Sequence, residues 1–106
     1  MDKIEINSNK FNNYIKAATI ELHNYKSEES YKAIIKALIE NPNAPEPHNL
    51  LGIWNELKGN YDLARKHYRA AYALDPTYKP ASGNLERVCT IFASKRIPFD
   101  FGKETL

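Results

Sequence analysis

Between Lys10 and Asn24 the apolar positions Phe11, Tyr14, Ile15, Ala18 and Leu22 recur at steps of three and four, which sets them on one face of a helix. A second helix is predicted from a Ser27 N-cap, with Glu28 and Glu29 in its first turn, to about Glu40. Its apolar set is Tyr31, Ile34, Ile35, Leu38 and Ile39, and Pro42, Pro45 and Pro47 block its continuation. The third helix, Glu46 to about Lys58, opens on Pro47, carries Leu50, Leu51, Ile53, Trp54 and Leu57, and stops near Gly59. The fourth runs from Tyr61 to Leu74, with Tyr61, Ala64, Tyr68, Ala71 and Tyr72 at helical steps before Asp75 and Pro76. The fifth starts near Tyr78 with Thr77 as cap and shows Ala81, Leu85, Val88 and Phe92, and Pro98 prevents it from passing Ile97. No segment alternates at period two for the length of a strand, so the predicted fold is all-α.

The pattern also repeats on a longer scale. Pro42 and Pro76 stand 34 residues apart, and in the same register Tyr14 pairs with His48, Ala18 with Gly52, Ile34 with Tyr68 and Ala37 with Ala71. Such a period implies helical pairs that cannot bury their apolar faces alone and stack to form a core. Residues 45–78 resemble a tetratricopeptide repeat, carried by Leu51, Gly52, Ala64, Tyr68 and Pro76, with Gly59, Tyr61 and Ala71 also in keeping. His48 stands where that family has Trp, and Asn55 where it has Tyr; the neighbouring Trp54 is expected to restore the aromatic volume. Gly52, Ala64 and Ala71 are expected where two antiparallel helices cross closely. Residues 11–44 repeat the scheme in degenerate form, with Ala18, Ser30 and Ala37 small, Tyr14 and Ile34 large, and Pro42 as the stop. Residues 79–96 resemble the capping helix of such arrays, and 97–106 form a C-terminal tail. The expected architecture is one α-α superhelical domain over residues 1–106, of two repeats and a cap.

The resemblance implies a binding protein, an adaptor, scaffold, co-chaperone or regulatory subunit, with no catalysis of its own and no cofactor. In that family the first helix of each repeat lines a concave groove that receives a partner's peptide or helix. By register the inward residues are Lys16, Thr19 and His23 (with Asn12), then Asn49, Ile53 and Glu56, then Asn84, Arg87 and Ile91. Asn49 and Asn84 offer a donor and an acceptor to a peptide backbone, and Lys16 and Arg87 suit a carboxylate. A chaperone-tail clamp is not supported, since Ile15, Thr19 and Pro80 occupy registers where it needs Lys or Asn.

Composition narrows the partner. Fifteen Lys and Arg against thirteen Asp and Glu leave a net charge of +2, too little for a dense phosphate-binding face. The excess lies near the end, where Lys95, Arg96 and Lys103 are the one candidate basic run, so nucleic acid ranks last among partners. No apolar run of signal-peptide or membrane-spanning character occurs, and the lone Cys89 suits a reducing compartment, so the reading is cytoplasmic. Cys89 is expected as an inert, buried thiol beside Val88 and Phe92. His23, His48 and His67 lack ligand partners at one-turn spacing, so no metal site is expected, and His48 reads as a packing residue. Two repeats fall short of the three that usually make a stable array, which leaves a homodimer or a marginally stable monomer as the alternatives. Phe99 and Phe101 should dock, either over the fifth helix near Val88 and Phe92 or in the groove of another copy or a partner.

Overall fold

A computed structural model describes residues 2–90 and 98–102, with side chains from residue 9 onward within them. Its helices are α1 Asp2–His23, α2 Ser27–Glu40, α3 Glu46–Leu57, α4 Tyr61–Leu74 and α5 Lys79–Cys89, and the described residues contain no strand. α1 packs chiefly on α2, α3 on α4 and α4 on α5, while α2 meets α3, and α1 and α5 each touch α3. This is the succession of helical hairpins that the long period implies.

Two boundaries differ from the sequence reading. α1 begins upstream of Lys10, at Asp2, because no proline or glycine in that stretch stops helix propagation even though its apolar periodicity is weak. α5 ends at Cys89, well short of Ile97: Thr90 is extended (φ −103°, ψ 107°), and its N–H reaches back three residues to Arg87 O. The remainder of the predicted fifth helix, including Ile91, Phe92, Lys95 and Arg96, lies outside the described residues, as does Lys103.

The expected caps are also replaced. Lys26 holds the N-cap position of α2 and Ser27 is already helical. The Ser27 carbonyl instead accepts from Ser30 Oγ and from Trp54 Nε1, both at 2.9 Å, so it ties α3 to the start of α2. Tyr78 caps α5, and the Thr77 hydroxyl donates to Asp75 at 2.6 Å. That bond and the one from the Thr77 N–H hold the Asp75 carboxyl below its usual range.

The core joins Phe11, Ile15, Ala18 and Leu22 of α1, Ile34 and Ala37 of α2, Leu50, Leu51 and Ile53 of α3, and Ala64 and Tyr68 of α4. The α3–α4 crossing turns on Gly52. A Cβ at that position would lie 2.2 Å from Cε1 of Tyr68, so the absence of a side chain is what admits the fully buried tyrosine ring. Ala64 and Ala71 are likewise fully buried. Trp54 contributes its volume elsewhere: it packs on Tyr31 of α2, with ring centroids 4.9 Å apart, and carries Lys58 over its face.

His48, in the register of the family's Trp, faces His67 of α4 with Nδ1···Nδ1 at 3.2 Å. In this pair of neutral rings one nitrogen donates and the other accepts. Burial lowers the pKa of both, and for His67 the neighbouring His48 lowers it further. Among the described residues no three His, Cys, Asp or Glu gather as a metal site.

Candidate functional site

α1, α3 and α5 converge on the short tail segment Pro98–Gly102, and polar residues of α3 and α5 make the junction. Asn84 grips the backbone of one residue at both ends: its Nδ2 donates to Asp100 O at 2.8 Å, and its Oδ1 accepts from Asp100 N–H at 2.9 Å. Asn49 adds a second donor to the same carbonyl at 3.0 Å. The two carboxamides are joined by an Asn84 Nδ2 to Asn49 Oδ1 bond of 2.8 Å. Both side chains are buried, and this mutual arrangement satisfies groups that would otherwise be costly to withdraw from water. A carboxamide that accepts from N–H and donates to C=O of one residue copies strand pairing, so it recognises extended backbone of any sequence.

Beneath the carboxamides lies an ion pair. Arg87 reaches both carboxylate oxygens of Glu56, by Nη1 to Oε1 at 2.9 Å and by Nη2 to Oε2, and Tyr68 OH donates to Oε2 at 2.6 Å. Burial alone would lower the Arg87 pKa, but the hydrogen bonds and charge of Glu56 outweigh it and raise the value. Burial, followed by the charge and hydrogen bond of Glu56, raises the Tyr68 pKa far above the ordinary tyrosine range. Arg87 Nε is buried and has no hydrogen-bond partner among the described residues, and the guanidinium faces the ring of Phe99 at 4.9 Å.

The tail crosses to α1 through Phe101, which is only 8% exposed, joins the core cluster and stacks on His23 with centroids 4.2 Å apart. Phe99 meets Phe101 edge-on at 6.2 Å. Gly102 closes the segment at φ +93°, where its N–H bonds to Asp100 Oδ1 at 2.9 Å; a Cβ there would be 2.9 Å from the Tyr78 hydroxyl. Tyr78 itself has a raised pKa, from burial first and then from the charges of Glu46 and Asp100.

Of the residues taken as groove-lining from register, Asn49, Asn84, Arg87 and His23 meet around the tail. Glu56 is buried beneath Arg87, and Ile53 is wholly within the core. Thr19 is buried with its hydroxyl returned to Ile15 O at 2.9 Å, and Lys16 and Asn12 are exposed on α1. Ile91 lies outside the described residues. Register reasoning passed over Tyr68 and Tyr78 as site neighbours; their polar tips on apolar rings, next to predicted groove helices, were the available signal. Cys89, expected on the buried face of α5, is exposed, while Arg87 turns inward, as its register had it. Glu56, a buried acid on the facing helix, is the reason that register wins.

The tail docks within its own chain, as the first of the two expectations has it. It lies on the α5 side, in the groove between α1, α3 and α5. Phe92, the other expected contact, lies outside the described residues.

The sequence model of the tetratricopeptide repeat matches residues 45–78, which span α3, α4 and the turn after them. No curated protein and no solved structure matches the chain.

Proposed function

We propose that this chain, a tetratricopeptide repeat protein by its match over residues 45–78, uses the groove between α1, α3 and α5 to bind an extended segment of a partner protein. It serves as an adaptor or scaffold in the cytoplasm, without catalysis or a cofactor of its own. One observation carries the reading: the two-ended grip of Asn84 on the backbone N–H and C=O of Asp100, reinforced by Asn49, is a device for holding extended backbone, and this chain already fills it with one. Residues 11–44 act as the first, degenerate repeat, supplying the α1 wall with the exposed Lys16 and His23. The lone thiol suits a reducing compartment, and none of the described helices is long and apolar enough to cross a membrane.

The test is site-specific photocrosslinking in cells, with the photoreactive residue at Lys16 or His23 on the groove side, or at Lys32 or Arg65 on α2 and α4. Crosslinks to another protein from the groove positions, abolished by Asn84→Ala, support the proposal. Crosslinks from Lys32 or Arg65 alone overturn it.

A second reading is self-association through the outer helices. It draws on the exposed Tyr31 and Ile39 of α2 and Leu63, Tyr72 and Leu74 of α4. Light scattering across a concentration series separates it from the first: a mass that stays at 12.2 kDa excludes it.

A further inference from the structure

The tail's contacts divide sharply into those made by backbone and those made by side chain. Among the described residues, Asn49 and Asn84 hold Asp100 through its backbone N–H and C=O, and its carboxylate accepts from the Gly102 N–H. Pro98 is exposed. Phe99 and Phe101, two residues apart and therefore on one side of an extended segment, fill defined places: the first over the Arg87 guanidinium, the second against His23 and into the core cluster. Gly102 is required twice over, by its positive φ and by the Tyr78 hydroxyl.

From this division we infer that the groove's partner is a protein segment of the pattern aromatic-any-aromatic-Gly, and that Pro98–Gly102 is an internal copy of it which an incoming segment must displace. The inference rests on the peptide-groove reading above and specifies its ligand. Arg87 is central to the selectivity. Its terminal nitrogens are committed to Glu56, so the face of the guanidinium turned toward the tail offers a flat cationic surface that favours an aromatic ring. His23, half of the other aromatic place, lies on α1, so a partner segment must span all three groove helices to satisfy both rings. The internal copy lowers apparent affinity by the fraction of time that the groove is occupied.

The experiment uses the full chain with Phe99→Ala and Phe101→Ala, which vacates the groove, and a fluorescent peptide of sequence Pro-Phe-Asp-Phe-Gly read by polarisation. The vacated chain is expected to bind the peptide at least tenfold more tightly than the parent chain. Alanine for the second peptide Phe should weaken binding at least tenfold, and alanine for its Gly at least fivefold. Equal binding of parent and alanine peptides would overturn the aromatic pattern while leaving the backbone groove intact. Binding that is indifferent to Asn84→Ala in the vacated chain would overturn the groove reading itself. No binding of the peptide to a folded vacated chain sinks the inference. If circular dichroism shows the double variant unfolded, the full chain with Gly102→Ala replaces it; that change strains only the tail's exit, and the same peptide series and criteria apply.

Discussion

Arg87 sets both terminal nitrogens of its guanidinium on the carboxylate of Glu56, 31 residues earlier in the chain, and both side chains are buried. The pair links the clear repeat to the helix that follows it. Removing one partner leaves the other charge buried and uncompensated, so Glu56→Gln or Arg87→Met should each lower unfolding free energy by about 3–5 kcal/mol. The double change Glu56→Met with Arg87→Met should cost clearly less than the sum of the two, because neither charge is then stranded. Urea denaturation of the three variants measures the coupling, and strict additivity would contradict the paired geometry.

Gly52 and Tyr68 make the closest seam of α3 on α4. Gly52→Ala drives a methyl group into the tyrosine ring and should lower stability by about 1–3 kcal/mol, despite the better helix propensity of alanine. Ala64→Leu and Ala71→Leu should act in the same direction, since both positions are fully buried. Thermal melts decide the matter: an unchanged midpoint at all three sites would contradict a tight crossing.

The His48–His67 pair makes stability depend on pH. Both folded-state pKa values lie below the ordinary 6.5, so the neutral rings favour the folded state. The unfolded chain then binds more protons as the pH falls below 6.5, and the stabilisation present above that value is lost toward the lowered folded values. The melting temperature should therefore drop between pH 7.5 and pH 5.5. In a His48→Gln, His67→Gln chain the drop should shrink; an identical drop would place its origin in other groups.

Cys89 should react with a thiol reagent in the native state, since it is exposed at the end of α5. One equivalent should be modified without denaturant, at a rate close to that of the unfolded chain. Protection by several orders of magnitude would mean that α5 is rotated from the register described, and Arg87 could not then reach Glu56.

Helix positions and their stacking order were legible because they follow from local quantities. The three- and four-residue recurrence of apolar residues sets helix faces, and Pro42 and Pro47 end and begin helices by removing a backbone donor. The span Tyr61–Leu74 was read residue for residue. Asn49 and Asn84 were also readable as a backbone-binding pair, because register alone puts them in corresponding places on successive groove helices.

What the sequence determined by itself, then, was the set of amphipathic helices and the small residues at their crossing, both consequences of spacing along one chain. Tertiary structure alone decided how the charges and rings were partnered. The pairing of Arg87, and with it the exposure of Cys89, depends on Glu56 lying opposite at bonding distance. The seat of Phe101 between His23 and the core, and the capture of Asp100 by two carboxamides, depend on surfaces from three helices coming together. Such contacts join residues 51 positions apart, as for Asn49 and Asp100, and more, as for His23 and Phe101, and no local periodicity encodes them. They form because a buried charge needs its counter-charge, a buried amide its hydrogen bonds, and an aromatic ring its shelter from water.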